Sequence, residues 1–338
     1  MKLSIIIVNY RGWKRLRPCL ESLRRLKDAL FSWEVIVVDN CSSDNQLPVF
    51  LNEFPEFYFI ENSGNFGFSN GCNVGARKAT GEYLLFLNPD TLITEDAIRD
   101  LLREGEKHPE FTILSCNQVN DKGKDTRPFG FFLRPSTLTS FLRSLRRLAY
   151  KDLKPTTLRS GAHAIFPEWV SGSIVLINRK DFERLGGWCE DYWMYYEDAD
   201  LCKRVHESGG KVALIQSIQI IHNHGGASRI NLEVKALTKS EVIISRHVFI
   251  HKHFHGIKRL LMQSYLVINN LFLGQLFVAL LGMIFFFKPS LRVYTRLYIN
   301  ILKYYAGAVV NKTWLSRRSV NFRKATVSKY ENANAEAA

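Results

Sequence analysis

The feature that most constrains the fold is a regular alternation of apolar and helical segments over the first 115 residues. Short runs rich in Val, Ile and Leu are typical of strands that are buried on both faces. Strands are predicted at 3–8, 34–38, 57–60 and 83–87, and helices at 12–27, 69–79 and from Thr94 onward. Repeated strand–helix units of this length predict an α/β fold, with a mixed, mostly parallel sheet and helices on both faces.

An irregular stretch at 120–167 interrupts this pattern. A hairpin turn is predicted at 121–124 and a basic helix at 138–150. Order returns with a strand over 169–178 that is interrupted at Gly172, followed by helices at 181–185 and 197–207. Two further strands are predicted at 212–215 and 218–221, so the α/β region extends well past residue 200.

Polar residues follow four consecutive predicted strands. The segments are Asn9-Tyr10-Arg11, Asp39-Asn40, residues 62–65 and Asn88-Pro89-Asp90. Each one alone is unremarkable, because turns favour Asn and Asp. Ligands of open α/β sheets bind at the carboxyl ends of the strands. Four such ends therefore predict a polar crevice that is rich in amides and contains two carboxylates.

Two common nucleotide-binding classes are disfavoured by their motifs. A dinucleotide-binding loop needs G-x-G-x-x-G after the first strand, where this chain has only Gly12. The P-loop signature G-K-[ST] does not occur in the sequence. The glycine-rich segment 64–71 instead leads into the helix predicted at 69–79.

Asp90 is the strongest candidate metal ligand in the crevice. One carboxylate together with phosphate oxygens and waters suits Mg²⁺ or Mn²⁺. A neutral imidazole could complete the set of ligands, and both His222 and His224 follow a predicted strand. The alternative is that Asp90 only caps the turn at Pro89.

A run of aromatic residues directly precedes three acids. Tyr192, Trp193, Tyr195 and Tyr196 are followed by Glu197, Asp198 and Asp200. The acids alone would complement the dipole of the helix that begins there. Flat apolar rings beside carboxylates are also what a carbohydrate site offers. A carboxylate in such a site can take a proton from an attacking hydroxyl.

Positive charge is concentrated in the C-terminal quarter of the chain. Residues 246–338 hold 14 Lys/Arg and 2 Asp/Glu, so 14 − 2 = 12 of the net charge of +14 lies there. The uncharged stretch 265–287 is long enough to span a bilayer, but basic residues flank both of its ends. An in-plane or re-entrant helical pair fits that symmetry better than a single span. An apolar stripe at 291–305 beside a Lys/Arg face predicts a helix in the lipid headgroups, with an ordinary packed helix as the alternative.

Two further features bear on the compartment. The six cysteines contain no C-x-x-C pair, which disfavours a zinc site and favours a reducing compartment. The apolar run 5–8 is too short for the core of a signal peptide, so the body is expected on the cytosolic side.

Taken in order, six motifs resemble the inverting family 2 glycosyltransferases of GT-A fold, most closely the bacterial rhamnosyltransferases and galactofuranosyltransferases. They are SIIIVNY (4–10), VIVVDNCSSD (35–44), NFGFSNGCNVG (65–75), FLNPDT (86–91), WVSGSIVLINR (169–179) and YYEDADLCKR (195–204). The resemblance covers roughly residues 1–230. It implies a Rossmann-like GT-A catalytic domain over 1–245. A helical membrane-associating region at 246–310 and a disordered polar tail at 311–338 would follow.

The resemblance also implies roles at matching positions. Donor contacts are implied for Asn9, Tyr10, Arg11, Asp39, Asn65, Gly67 and Asn88, although Asn88 stands where the family's metal motif has its first acid. Asp90 and His222 would hold the divalent cation, Mg²⁺ or Mn²⁺, with His224 close enough to compete. Asp198 would be the general base, with Glu197 beside it. Acceptor contacts are assigned to Gly172, Ser173, Trp193 and Asp200.

The resulting hypothesis is an enzyme that moves rhamnose or a related hexose, with inversion, in cell-surface polysaccharide synthesis. Its donor would be a dTDP- or UDP-sugar, and its acceptor a glycan or a polyprenyl-diphosphate-linked sugar. The basic tail would hold it at the cytoplasmic side of the bacterial inner membrane, as a peripheral or monotopic protein that binds no nucleic acid. Two alternatives are a nucleic-acid- or membrane-binding module on an α/β scaffold, and a sugar nucleotidyltransferase.

Overall fold

The chain groups into two compact units. The computed structural model describes residues 2–26, 31–138, 163–223 and 231–326. The first unit comprises the described residues among 1–132, 153–189 and 197–227, and the second comprises those among 133–152, 190–196 and 228–338. The helix predicted at 138–150 and the second candidate histidine, His224, lie outside the described residues.

The first unit is an α/β structure. Its strands are β1 (Leu3–Asn9), β2 (Trp33–Asp39), β3 (Tyr58–Glu61), β4 (Tyr83–Leu87), β5 (Thr91–Leu92), β6 (Phe111–Val119), β7 (Asp125–Thr126), β8 (Phe129–Gly130), β9 (Ala164–Ile165), β10 (Trp169–Val170), β11 (Ile174–Asn178) and β12 (Lys211–His222). Its helices are α1 (Trp13–Arg24), α2 (Leu47–Glu53), α3 (Phe68–Lys78), α4 (Glu95–Lys107), α5 (Arg179–Arg184) and α6 (Glu197–Glu207).

One mixed sheet organises this unit. Its strand order is β3-β2-β1-β4-β11-β6-β12-β5, with β7 paired to β6 and β9 to β12, while β8 and β10 form a separate pair. The run β3-β2-β1-β4 is parallel, β6 and β12 are parallel, and β11 lies antiparallel between β4 and β6. The predicted mixed, mostly parallel sheet is confirmed, and the carboxyl ends of β1, β2 and β4 lie at one edge.

Two glycines let α3 approach this sheet closely. A Cβ atom at Gly71 would lie 2.6 Å from Cγ1 of Val8, and one at Gly75 would lie 2.5 Å from Cγ2 of Ile6. No larger residue fits there without moving the helix. Spaced four apart, the two glycines lie on the same face of α3. They bring its N-terminal loop beside the carboxyl end of β1.

The structure differs from the predicted strands in two places. The strands predicted at 212–215 and 218–221 are one strand, β12, because an irregularity between Ile215 and Gln219 shifts its register against β6 without ending the pairing. The strand predicted over 169–178 is two strands in different sheets, β10 and β11, separated by residues 171–173.

Four long or apolar helices form most of the second unit. They are α7 (Leu232–His253), α8 (Gly256–Phe272), α9 (Gly274–Ile284) and α10 (Pro289–Asn311). The predicted boundary at residue 245 falls inside α7. The stretch Gly256–Ile284 is, among the described residues, long and apolar enough to cross a membrane. The backbone breaks at Leu273 (φ −121°, ψ −102°), which divides the stretch into α8 and α9.

The apolar stripe of α10 is buried within the protein. Leu297, Ile301 and Tyr305 pack against Ile243 and Ile244 of α7. The prediction that this stripe faces lipid headgroups is therefore wrong, because α7 covers it, and the packed-helix alternative holds. The exposed apolar side chains of this unit are instead concentrated on α8, α9 and the turn after α9.

The segment after α10 is packed as far as it is described. Trp314 stacks on the buried ring of His247, with centroids 4.8 Å apart and planes 9° from parallel. Ser316 is buried and donates to Oε1 of Glu241 at 3.0 Å. The predicted disordered tail at 311–338 thus begins with an ordered part, and residues 327–338 lie outside the described residues.

Candidate active site

The ends of β1 and β2 are joined by a buried polar network. Oδ1 of Asp39 accepts from Nδ2 of Asn9 at 3.1 Å and from Oγ of Ser42, while Oδ2 accepts from the Ser42 amide at 2.8 Å. Oγ of Ser42 in turn accepts from the Arg11 amide at 2.7 Å, and Arg11 has a left-handed backbone (φ 52°). Asn9 and Asp39 are fully buried, so they shape the loop. Tyr10 and Arg11 remain accessible at its surface.

The loop before α3 attaches to the same edge through amides. Nδ2 of Asn40 donates to the Gly67 carbonyl at 2.9 Å, and Oδ1 of Asn40 accepts from Asn62 at 3.1 Å. Oδ1 of Asn65 accepts from the Gly67 amide at 3.2 Å. Gly67 has φ 90°, a conformation that favours glycine. Asn65 and Gly67 are thereby placed in one cluster with the ends of β1 and β2.

Asp90 and His222 form a close pair past β4 and at the end of β12. Oδ1 of Asp90 lies 3.2 Å from Nε2 of His222. On the other side, Oδ2 of Asp90 lies 3.8 Å from a guanidinium nitrogen of Arg15, which also donates to the Asn223 carbonyl. The Asn223 amide donates to the Asp90 carbonyl at 2.9 Å. Strand pairing of His222 with Thr91 holds the two residues together.

Gln118 orients the imidazole of His222 and is itself held by Ser173. Nδ1 of His222 lies 2.7 Å from Oε1 of Gln118, and Nε2 of Gln118 donates to Oγ of Ser173 at 2.7 Å. All three side chains are almost completely buried. Because the Gln118 oxygen can only accept, Nδ1 of His222 carries a hydrogen, and in a neutral ring the lone pair is then on Nε2, the nitrogen that faces Asp90.

The pair has the donor chemistry and spacing of two ligands to one cation. Two neighbouring ligands of an octahedral ion with bonds of about 2.1 Å lie about 3 Å apart, and the measured separation is 3.2 Å. No group of three or more His, Cys, Asp or Glu suited to a metal exists among the described residues. Phosphate oxygens and waters would thus supply the other ligands, as Mg²⁺ and Mn²⁺ sites allow.

The acids at the start of α6 have perturbed pKa values. Burial, followed by the negative charge of Asp198, raises the pKa of Glu197 well above its usual range. Burial also raises the pKa of Asp198, although the Ala199 and Gly172 amides oppose the shift by donating to its carboxylate at 2.8 and 3.3 Å. Burial and the neighbouring charge thus favour the protonated form of Glu197, and the raised pKa of Asp198 makes it a stronger base than an ordinary aspartate.

Residues 172–173 connect this acid to the Asp90 region. Gly172 donates to Asp198, and the next carbonyl, that of Ser173, accepts from the Asn88 amide at 2.9 Å. Asn88 lies two residues before Asp90. Within the first unit, residues 172–173 therefore link Asp198 to the segment that contains Asp90.

Three predicted acceptor residues have other surroundings. Asp200 is fully buried and accepts from Nε of Arg204 at 2.8 Å, which indicates that it holds α6 in place. Ser173 is 1% exposed and bonded to Gln118. Both side chains are thus bonded within the protein, and their acceptor contacts stay predictions. Trp193 lies in the second unit, with the Arg318 guanidinium 5.2 Å from its ring, and its acceptor contact stays a prediction.

Sequence reasoning missed Gln118 and Arg15. Gln118 follows Asn117 near the end of β6, so the only signal in the sequence is a pair of amides at the end of a strand. Arg15 lies among several basic residues of α1, and its approach to Asp90 depends on tertiary structure.

Comparison with known proteins decides the family. Residues 4–170 match the model of glycosyl transferase family 2, and residues 163–224 match that of the N-terminal domain of galactosyltransferase. The chain contains a glycosyl transferase family 2 domain. This glycosyltransferase is 28% identical to the low-salt glycan biosynthesis hexosyltransferase Agl10 of Haloferax volcanii, over 65% of this chain and 67% of the relative.

Two bacterial relatives of this glycosyltransferase are rhamnosyltransferases. Rhamnosyltransferase WbbL of Escherichia coli is 26% identical over 64% of this chain and 82% of the relative. An N-acetylglucosaminyl-diphospho-decaprenol L-rhamnosyltransferase of Mycobacterium tuberculosis is 23% identical over 65% and 76% of the two chains.

A solved structure supports the GT-A fold. The mannosyltransferase PcManGT of Pyrobaculum calidifontis, in complex with GDP-Man and Mn²⁺, aligns with a TM-score of 0.52 over 89% of this chain and 85% of the other, at 16% identity. At that identity the likeness concerns the fold alone.

Proposed function

We propose that this enzyme transfers a hexosyl group, rhamnose or a related hexose, from a nucleoside diphosphate sugar to a hydroxyl of a glycan or lipid-linked acceptor. The proposal rests on one observation. The backbone of residues 172–173 is hydrogen-bonded both to the carboxylate of Asp198 and to Asn88, which lies two residues before the Asp90–His222 pair. A base for the acceptor and a holder for the leaving diphosphate are the two groups that such a transfer needs.

The proposed reaction is a single displacement. The acceptor hydroxyl gives its proton to Asp198 while its oxygen forms a bond to the anomeric carbon. The bond from that carbon to the diphosphate oxygen breaks, and the nucleoside diphosphate leaves with the electron pair. Attack from the face opposite the leaving group inverts the anomeric configuration. A divalent cation held by Asp90 and His222 would neutralise the charge on the diphosphate.

The relatives support the sugar and acceptor classes. Two of them are named as rhamnosyltransferases, and one of these acts on a decaprenol-linked diphosphate sugar by name. The structural neighbour holds a nucleotide sugar and Mn²⁺. These names favour a nucleotide-sugar donor, a divalent cation and a lipid-linked acceptor. We propose that the enzyme meets this acceptor at the cytoplasmic face of the bacterial inner membrane.

A donor panel tests the reaction. The enzyme is incubated with Mg²⁺ or Mn²⁺, with dTDP-, UDP- and GDP-sugars, and with a polyprenyl-diphosphate-linked N-acetylglucosamine. We expect release of nucleoside diphosphate and a product of inverted anomeric configuration by NMR. Release of pyrophosphate would show a nucleotidyltransferase instead, and retention of configuration would contradict the single displacement.

We also propose that α8 and α9 dock this enzyme on an anionic membrane surface. Large apolar side chains of these helices and of the turn that follows are exposed: Ile257, Leu260, Leu261, Ile268, Phe272, Leu273, Phe277, Leu280, Met283, Ile284, Phe285, Phe286 and Phe287. Such a concentration marks a membrane or protein interface. Lys258, Arg259, Lys288 and Arg292 flank it in sequence, and cations near an anionic leaflet each contribute about 1 kcal/mol.

Substitution of the exposed apolar residues tests the docking surface. The double variant Leu261→Glu/Phe277→Glu is expected to lower binding to phosphatidylglycerol vesicles at least about tenfold in a flotation assay, because each buried side chain contributes about 1.5–3 kcal/mol. Leu51→Glu, at an exposed apolar position of α2, is the control and should bind as the wild type does. Equal flotation of the double variant, or a DNA gel shift instead of flotation, would refute membrane docking.

A further inference from the structure

Gln118 is a buried polar residue on the strand between β12, which ends at His222, and β11, which Ser173 directly precedes. It is 1% exposed, near the end of β6, which pairs with β11 on one side and β12 on the other. Its amide bridges these neighbours, since its oxygen faces Nδ1 of His222 and its nitrogen donates to Ser173, the residue before β11. Both polar groups of the side chain are therefore used.

The side-chain amide of Gln118 has a defined orientation between Ser173 and His222. Oγ of Ser173 lies 3.1 Å from Oγ of Ser171, to which it can pass its own hydrogen. Ser173 is then an acceptor for the Gln118 NH₂ group, and the Gln118 oxygen is turned towards His222. An amide turned the other way would donate to Nδ1, and His222 would then carry its hydrogen on Nε2. That hydrogen would point at Oδ1 of Asp90, and the resulting hydrogen bond would use the nitrogen and the oxygen that are needed to bind a cation.

We infer that Gln118 is a positioning residue that orients the imidazole of His222 and holds the hydrogen of the neutral ring on Nδ1, which leaves Nε2 for a divalent cation shared with Asp90. The inference rests on the cation site of the proposed function and deepens it. Partners that fix the tautomer of a metal-binding histidine typically contribute 10–100-fold to metal affinity. Gln118 contacts neither reactant in this account and acts only through His222.

Two variants of Gln118 separate hydrogen bonding from packing. Gln118→Met has a similar volume without the acceptor, and it should weaken Mn²⁺ binding in the presence of UDP by 10–100-fold, measured by electron paramagnetic resonance. Gln118→Glu keeps an acceptor for Nδ1–H and should bind Mn²⁺ within a few-fold of the wild type. Ser115→Ala is the matched control, because Ser115 is buried on the same strand and donates to the Ile174 carbonyl, away from His222.

The tautomer itself is the second measurement. In ¹⁵N-histidine-labelled, metal-free protein, at a pH at which the ring of His222 is neutral, we expect the Nδ1–H form in the wild type and in Gln118→Glu, and a shift towards Nε2–H in Gln118→Met. An Nε2–H wild type, or a Gln118→Met variant with unchanged tautomer and Mn²⁺ affinity, overturns the inference. Sugar transfer by the wild type is scored separately, so the proposed function can stand when this inference fails.

Discussion

Replacing Asp198 with Asn is expected to lower the rate of sugar transfer by about 10²–10⁴-fold while leaving nucleotide-sugar binding nearly unchanged. The substitution removes the group that accepts the proton of the acceptor hydroxyl, and a positioned general base typically contributes about 10²–10⁴-fold to the rate. The Asn side chain has almost the same shape as the carboxylate. Its oxygen can still accept a hydrogen bond from the Ala199 backbone amide, which makes the shorter of the two contacts with Asp198. The site is therefore expected to stay folded around the donor.

Two measurements are needed for this variant. Turnover is followed through nucleoside diphosphate release, and donor affinity is measured by calorimetry with UDP and Mn²⁺. Glu207→Gln, an exposed acid on the same helix, controls for the loss of a charge from α6. Near-normal turnover of the Asp198→Asn variant would show that Asp198 is not the general base. A large loss of UDP affinity would place it in donor binding instead.

The raised pKa of Asp198 gives this prediction a pH dependence. The base works only when ionised, so kcat/KM should fall as the pH drops through a pKa above that of an ordinary aspartate. Burial and the charge of Asp198 raise the pKa of Glu197 and so favour its neutral form. Glu197→Gln should for that reason keep turnover within about tenfold. An acid limb at the ordinary pKa of aspartate would contradict this assignment.

Much of the fold follows from local sequence patterns. Short apolar runs between helical segments suffice to predict β1 to β4, and Thr94 begins α4 by accepting from the Ala97 amide. What local patterns miss depends on long-range register. The register shift after Ile215 joins two predicted strands, and α7 covers the stripe of α10 that resembles a membrane-facing helix.

The candidate site divides in the same way. Polar residues at strand ends predict the cluster of Asn9, Asp39 and Asn65, because parallel strands bring their carboxyl ends to one edge. The burial of Asp200 against Arg204 could not be read from the sequence, where it is one of three adjacent acids. The contact between Gln118 and His222 joins residues 104 positions apart, so only the pairing of β6 with β12 reveals it.

Asp90→Ala should have the opposite signature from Asp198→Asn, with both donor binding and turnover lost. The substitution removes one of the two protein ligands of the proposed cation and leaves His222 as the other. A cation at a leaving diphosphate contributes several kcal/mol to the transition state, so turnover should fall by at least about 10³-fold. Affinity for UDP with Mn²⁺ should fall too, because the nucleotide and the cation bind together.

The metal dependence of nucleotide binding separates this effect from simple misfolding. In the wild type, Mn²⁺ should strengthen UDP binding in calorimetry, whereas in Asp90→Ala it should add little, with the metal-free affinity unchanged. Asp96→Asn, a highly exposed acid near the start of α4, controls for the lost charge. An Asp90→Ala enzyme whose UDP affinity still rises with Mn²⁺ would show that the cation binds elsewhere. The Asp90–His222 pair would then be an ordinary structural contact, since two groups 3.2 Å apart can also share one hydrogen bond.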